Sequence, residues 1–155
     1  MIGDRNPQSE FIRGALSKNV ETKLFVKNDS PTILKLRYLD HKRGNKLFKV
    51  EDMNEEPITP HLSNEIIDYL SGELPKHDLV VVLDYDHGFM NEEIRRLIQE
   101  KSKFLSLNCQ INSANFGYNY VDRYERADFI TMNEAEIRLP MRMQFEDIKE
   151  VIDKE

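Results

Sequence analysis

Five consecutive aliphatic residues, Leu79-Val80-Val81-Val82-Leu83, run without interruption into an aspartate, Asp84. No other feature restricts the fold as much. The run is too short for a core helix and lacks the apolar–polar alternation of a half-solvated strand, so it predicts a central parallel strand buried on both faces. Its surroundings agree. Thr59 caps a helix with Pro60 in its first turn, and Leu62, Ile66, Leu70 and Leu74 fall on one stripe of that helix. Asn91 caps another, with Glu92 and Glu93 at its positive end and Ile94, Leu97 and Ile98 turned inward. Phe104-Leu105-Ser106-Leu107 and Asp128-Phe129-Ile130-Thr131 are the following strands, and Phe145 to Ile152 a last amphipathic helix. Strands alternating with helices predict a parallel α/β sheet with right-handed crossovers.

The first third reads differently. Met1 to Asp4 is a strand stub and turn, Phe11, Ile12, Ala15 and Leu16 recur at helical spacing, and Leu24-Phe25-Val26 is a short strand. Thr32 to Asp40 alternates, with Leu34, Leu36 and Tyr38 on one face and Lys35 and Arg37 on the other. His41 to Asn45 supplies a turn and Lys46 to Glu51 alternates again, which predicts a β-hairpin.

At 155 residues and 39% hydrophobic content, the chain suits a single globular domain with a real core. No apolar run approaches the roughly 18 residues that span a bilayer, and no secretory hydrophobic region opens the chain. One cysteine, Cys109, rules out an intramolecular disulfide and a cysteine-based zinc cage. The expected setting is cytoplasmic, with no membrane partner. The net charge of -6 hides an asymmetry. Residues 1–50 carry 11 Lys and Arg against 5 Asp and Glu, whereas the remainder carries 11 against 23. The basic part is either a face that meets an anionic ligand or a solvated strand surface. Without zinc-finger spacing or a basic helix, no nucleic-acid partner is expected.

Ligands of parallel α/β sheets bind beyond the carboxyl ends of the strands, and three strand ends carry chemistry here. Asp84-Tyr85-Asp86-His87-Gly88 sets a carboxylate directly after the buried run, where it needs a partner, a cation or a polar ligand. Asp84 suits sugar hydroxyls and His87 a phosphate; equally, the segment suits a capped turn with solvated acids. The stretch from Asn108 to Asn119 is dense in amides, which recognise polyols or nucleotides but also hold loops together. Asn112 is its candidate ligand-binding residue. Cys109, with no histidine near it in sequence, is expected to pack as a small hydrophobe. Asn133-Glu134-Ala135-Glu136 suits either a capping box or a carboxylate that organises hydrated magnesium near phosphates.

Two resemblances follow from these residues. Asp84-Tyr85-Asp86 resembles the D-x-D opening of haloacid-dehalogenase-type phosphatases, in which Asp84 would be the nucleophile and Asp86 the general acid/base. Ile2-Gly3-Asp4-Arg5 resembles that superfamily's last acidic motif, but it precedes the D-x-D segment instead of following it, and Phe89 stands where Thr or Val is usual.

Read in order, the segments resemble the ribokinase-like (PfkB) sugar kinases more closely, above all the heptose-phosphate kinase branch. Ile2-Gly3-Asp4 is similar to the family's strand ending in Gly-Asp, and Thr32-Ile33-Leu34-Lys35-Leu36-Arg37 to the branch's Thr-x-Lys-x-Arg strand, with Lys46 to Asp52 as its pairing strand. Asp84-Tyr85-x-x-Gly88 resembles the D-Y-x-x-G segment, and Asn133-x-x-Glu136 the N-x-x-E motif. The resemblance implies a three-layer ribokinase-like α/β sheet with a β-hairpin lid element at residues 31–52 and an α/β core at 60–155. It implies that Lys35 and Arg37 meet a sugar phosphate, that Asp84 lies at the sugar side, and that Asn133 and Glu136 serve ATP and magnesium, with Glu136 toward the metal. The family's G-x-G-D motif, source of the catalytic base and the anion hole, has no counterpart here, and Asn108-Cys109 replaces the branch's Asp-Pro. The chain is therefore expected to be a partial kinase domain, incomplete at both ends. It is expected to lack activity alone and to be completed by flanking segments, by another polypeptide or by self-association.

Overall fold

The computed structural model describes residues 1–111 and 115–154. The chain divides into two compact units, residues 1–62 and 63–155.

In the first unit, β1 (Ile2–Gly3) pairs in parallel with β2 (Val26–Lys27), with Ile2 opposite Val26. Side chains clamp this small pair. The Asp4 carboxylate accepts the backbone N–H groups of Asp29 and Ser30, and those two bonds hold its carboxyl below the usual carboxylate range. Asp29 takes a left-handed φ of 53° in that loop, which Asp tolerates better than most residues. Lys27 is buried, its ammonium donating to the Asn54 carbonyl at 3.0 Å and to the Glu56 carbonyl. Ile2, Phe25, Ile58 and Leu62 are the buried apolar residues here. α1 (Ser9–Ala15) has the helical spacing expected of it but buries nothing, and Phe11 is 74% exposed.

The hairpin forms as its alternation predicts, from β3 (Leu34–Leu39) and β4 (Lys46–Asp52) in antiparallel register. Lys35 stands opposite Glu51, Leu36 opposite Val50 and Tyr38 opposite Phe48, whose rings stack at 4.4 Å. α2 (Pro60–Glu73) begins at its predicted cap, with the Thr59 hydroxyl accepting the Leu62 N–H.

The second unit is the α/β part. A parallel sheet runs in the order β5 (Val80–Asp84), β6 (Leu105–Cys109), β7 (Phe129–Ile130). α3 (Glu92–Lys101) lies between β5 and β6 in sequence, capped by Asn91, whose side chain accepts the Ile94 N–H and donates to the Ser63 hydroxyl. α4 (Glu134–Met141) and α5 (Ile148–Ile152) follow β7 and enclose a cluster of Ile137, Met143 and Val151. The fold is mixed α/β with parallel strands, as the sequence predicts. No helix among the described residues is long and apolar enough to cross a membrane.

The aliphatic run departs from expectation. Val82 and Asp84 are buried, whereas Leu79, Val81 and Leu83 on the opposite face are 54–61% exposed, and among the described residues β5 is the end strand of its sheet. Aliphatic content alone signals burial on both faces. Whether a second face is covered depends on elements elsewhere in the fold, and β6 rather than β5 is central here.

Candidate functional site

The site is built at the carboxyl ends of β5 and β6, and its centre is Asp84. This residue ends the aliphatic strand and is 1% exposed. An ionisable group so placed needs partners, and the chain supplies both. The Tyr124 hydroxyl donates to Asp84 Oδ2 at 2.8 Å, and the Asp86 N–H donates to Oδ1 at 2.9 Å. Burial, and then the Asp84 charge beside it, push the Tyr124 hydroxyl well above the usual phenol range. Tyr124 is therefore a permanent donor to the carboxylate.

Two asparagines brace the same strand ends. Asn119, 0% exposed, donates its amide to the Asp84 carbonyl at 3.1 Å and to the Gln110 carbonyl at 3.3 Å. Asn115 bridges the Tyr85 and Gln110 carbonyls. Arg123 closes the network, donating to Asn119 Oδ1 at 2.7 Å and pairing with Asp86 at 3.2 Å. Asn115 and Asn119 thus hold backbone carbonyls where the strands end, that of Asp84 in addition to the Gln110 N–H it accepts. Asn112, the amide assigned to ligand binding, lies outside the described residues. Cys109 faces inward at 3% exposure, its thiol pushed up to about 12 by burial and by the charge of Asp84. It packs as a small hydrophobe, as its sequence context suggests.

The third strand end meets the other two. Asn133 accepts the Ala135 and Glu136 N–H groups, and Glu136 Oε2 accepts the Asn133 N–H at 2.8 Å, a complete capping box. Glu136 does more than cap. It is 4% exposed, and its Oε1 accepts the Ile111 N–H at 3.3 Å, so α4 is tied to the loop after β6. As a magnesium ligand its hard oxygens are of the right kind. Each oxygen already accepts one backbone N–H, and no cluster of three His, Cys, Asp or Glu occurs among the described residues, so the donor set fits an ion that keeps most of its water.

Lys35 and Arg37 lie on β3 in the first unit, on the charged face of the hairpin, where Lys35 is 3.9 Å from Glu51. His87, the other candidate for a phosphate, stacks near Tyr85 with ring centroids 6.2 Å apart. The structure thus brings Asp84, Asn133 and Glu136 to one end of one sheet, and sets Lys35 and Arg37 in the other unit. Sequence reasoning missed Tyr124 and Arg123. Their signal was indirect: a carboxylate ending a buried strand must find a donor, and the only clue to which one is a Tyr and an Arg a short way beyond the amide-rich loop.

No family model matches the chain. Curated relatives do. It is 26% identical over 118 residues to the bifunctional protein HldE of Helicobacter hepaticus, a match covering 75% of this chain and 23% of that protein. It is 27% identical over 139 residues to the bifunctional protein HldE of Shewanella piezotolerans, covering 90% of this chain and 27% of that protein. The HldE of Helicobacter pylori strain Shi470 aligns over 94% of this chain at 22% identity. The chain therefore spans about a quarter of the length of the curated relatives it matches. These matches bear out the resemblance drawn from the ordered motifs between Ile2 and Glu136.

Proposed function

We propose that this chain is a segment of a PfkB-type sugar or sugar-phosphate kinase, whose whole form transfers the γ-phosphoryl group of ATP to a sugar hydroxyl. The observation that carries the reading is the collinear similarity to HldE proteins across most of the chain, coupled to two motif strand ends, at Asp84 and at Asn133-x-x-Glu136, meeting at one end of the sheet. Phosphoryl transfer asks a protein chiefly for positioning and charge neutralisation. In this reading the turn held by Asp84 forms the sugar side, with Asn112 in the neighbouring loop. Lys35 and Arg37 take the phosphate of a sugar phosphate, and Asn133 with Glu136 stands at the nucleotide side. Hydrated magnesium there would neutralise phosphate charge; Glu136 would hold it through water. The segment carries no base for the sugar hydroxyl, because no G-x-G-D follows the amide loop.

The test is direct. Purified chain with ATP, magnesium and a panel of sugar phosphates is expected to release no ADP above background, while the same segment restored to a longer kinase sequence turns over. ATP-dependent phosphorylation by the chain alone overturns the claim of inactivity. The phosphatase reading makes the opposite forecast, hydrolysis of a generic phosphoester that Asp84→Asn abolishes. No feature of the site favours it: the would-be nucleophile is 1% exposed with both oxygens engaged.

A further inference from the structure

The hairpin sets cations side by side on one face. In the register of β3 and β4, Lys35 stands opposite Glu51 and Arg37 opposite Lys49. Alternation along the strands puts these four side chains together and turns Leu34, Leu36, Tyr38, Phe48 and Val50 to the other face. All four belong to one ladder, so no other element is needed to bring them together. Arg37 against Lys49 is the anomaly, because like charges directly opposite each other destabilise a pair of strands. On this face of the ladder Glu51 is the one carboxylate, and it is shared. Its Oε1 lies 3.9 Å from Lys35 Nζ and its Oε2 3.1 Å from Lys49 Nζ. The Arg37 guanidinium has no ion pair or hydrogen bond among the described residues. Three cations against one carboxylate leave these four positions with a charge of +2.

Two ammonium groups converge on the Glu51 oxygens as they would on the oxygens of a phosphate, and Arg37 adds a planar fork of donors of the kind that matches phosphate. We infer that this face is a site for a phosphate dianion, in which Lys49 is a contact beside Lys35 and Arg37 and Glu51 is a built-in competitor, its carboxylate standing where the anion goes. The inference rests on the sugar-phosphate reading for the source of the phosphate, and adds to it the third cation and the competitor. Exposed ion pairs contribute little to stability, so an incoming dianion displaces the Glu51 carboxylate at small cost. The displaced charge stays close by, and binding is accordingly weak and quickly reversible.

Titration of the whole chain with inorganic phosphate at pH 8, followed by amide NMR shifts along β3 and β4, tests this. The parent is expected to show saturable shifts there. Glu51→Gln keeps the side chain's size and removes the competing charge, so phosphate should bind about fivefold tighter. Lys49→Ala should weaken binding by a similar factor. Lys42→Ala removes an equal charge from the turn, outside the ladder, and should leave the affinity unchanged. Amide shifts outside the hairpin that match the parent's show that each variant is folded. A purely structural Glu51 makes the opposite forecast, since its loss would loosen the hairpin and weaken binding with it. Glu51→Gln that binds phosphate no better than the parent overturns the inference, and so does Lys49→Ala at parent affinity. Equal weakening by Lys42→Ala and Lys49→Ala also overturns it, because that marks a diffuse ionic atmosphere. Phosphate binding that follows the forecast, alongside a longer kinase sequence that turns over no sugar phosphate, supports this site while overturning the sugar-phosphate reading.

Discussion

Replacing Tyr124 by Phe removes one oxygen atom from the centre of the site and nothing from its packing. That oxygen donates to Asp84 Oδ2 at 2.8 Å, between residues 8% and 1% exposed, so water does not readily replace it. A hydrogen bond to a charged group contributes about 1.5–3 kcal/mol. Asp84 keeps the Asp86 N–H at 2.9 Å, which leaves the carboxylate half-satisfied instead of abandoned. The expected loss is therefore about 2 kcal/mol. With a urea dependence of ~2 kcal/mol per molar, the unfolding midpoint followed by far-ultraviolet circular dichroism should fall by about 1 M. Asp84→Asn supplies the control. It keeps the side-chain volume, removes the charge and lets the new amide donate to the Tyr124 hydroxyl, so it should cost less than Tyr124→Phe. In the Asp84→Asn background the hydroxyl serves only a neutral partner, and its removal should cost about 1 kcal/mol or less. A Tyr124→Phe cost within ~0.5 kcal/mol of zero, or an equal cost in both backgrounds, would refute the claim that this hydroxyl holds the carboxylate.

Three further outcomes are expected. Gly3→Ala would place a Cβ 2.0 Å from the Ser30 carbonyl oxygen and 2.3 Å from the Pro31 carbonyl carbon, both backbone, so thermal melting should show the loss of several degrees or of folding altogether. Asn133→Ala should cost about 1 kcal/mol as a lost helix cap, and Glu136→Ala more than that, because it frees the Ile111 N–H as well as the Asn133 N–H; chemical denaturation of the two variants ranks them. The Cys109 thiol, pushed up to about 12, should resist iodoacetamide at pH 8 until denaturant is added. Its linkage has a definite sign. The unfolded thiol loses its proton near its ordinary value of about 8.5 while the folded one keeps it, so this residue's contribution to stability falls as pH rises from there toward 12. Denaturation midpoints between pH 8 and 10 check the direction.

Local chemistry was legible in the sequence because it acts over a few residues. The Thr59 and Asn91 caps, the hairpin and the Asn133–Glu136 capping box all form where their patterns put them. The inert character of Cys109 was equally legible. Features that depend on distant partners were not. The amphipathic pattern of Phe11, Ile12, Ala15 and Leu16 predicts a buried stripe, and the helix forms, yet it buries no residue. The asparagines at 115 and 119 were visible as amides, but their work on the carbonyls of Asp84, Tyr85 and Gln110 spans up to 35 positions in the chain.

The aliphatic run draws the same line. Its composition determined that residues 80–84 form a strand of a parallel sheet, because β-branched side chains favour extended backbone wherever they lie. Composition likewise determined that Asp84 needed a partner, because a buried carboxylate without one is too costly to keep. Only the tertiary structure decided that the partner is Tyr124, 40 residues on, and that among the described residues the strand ends its sheet with Leu79, Val81 and Leu83 exposed. Strand formation follows from each residue's own conformational preference, whereas pairing and burial depend on which other elements are present to meet it.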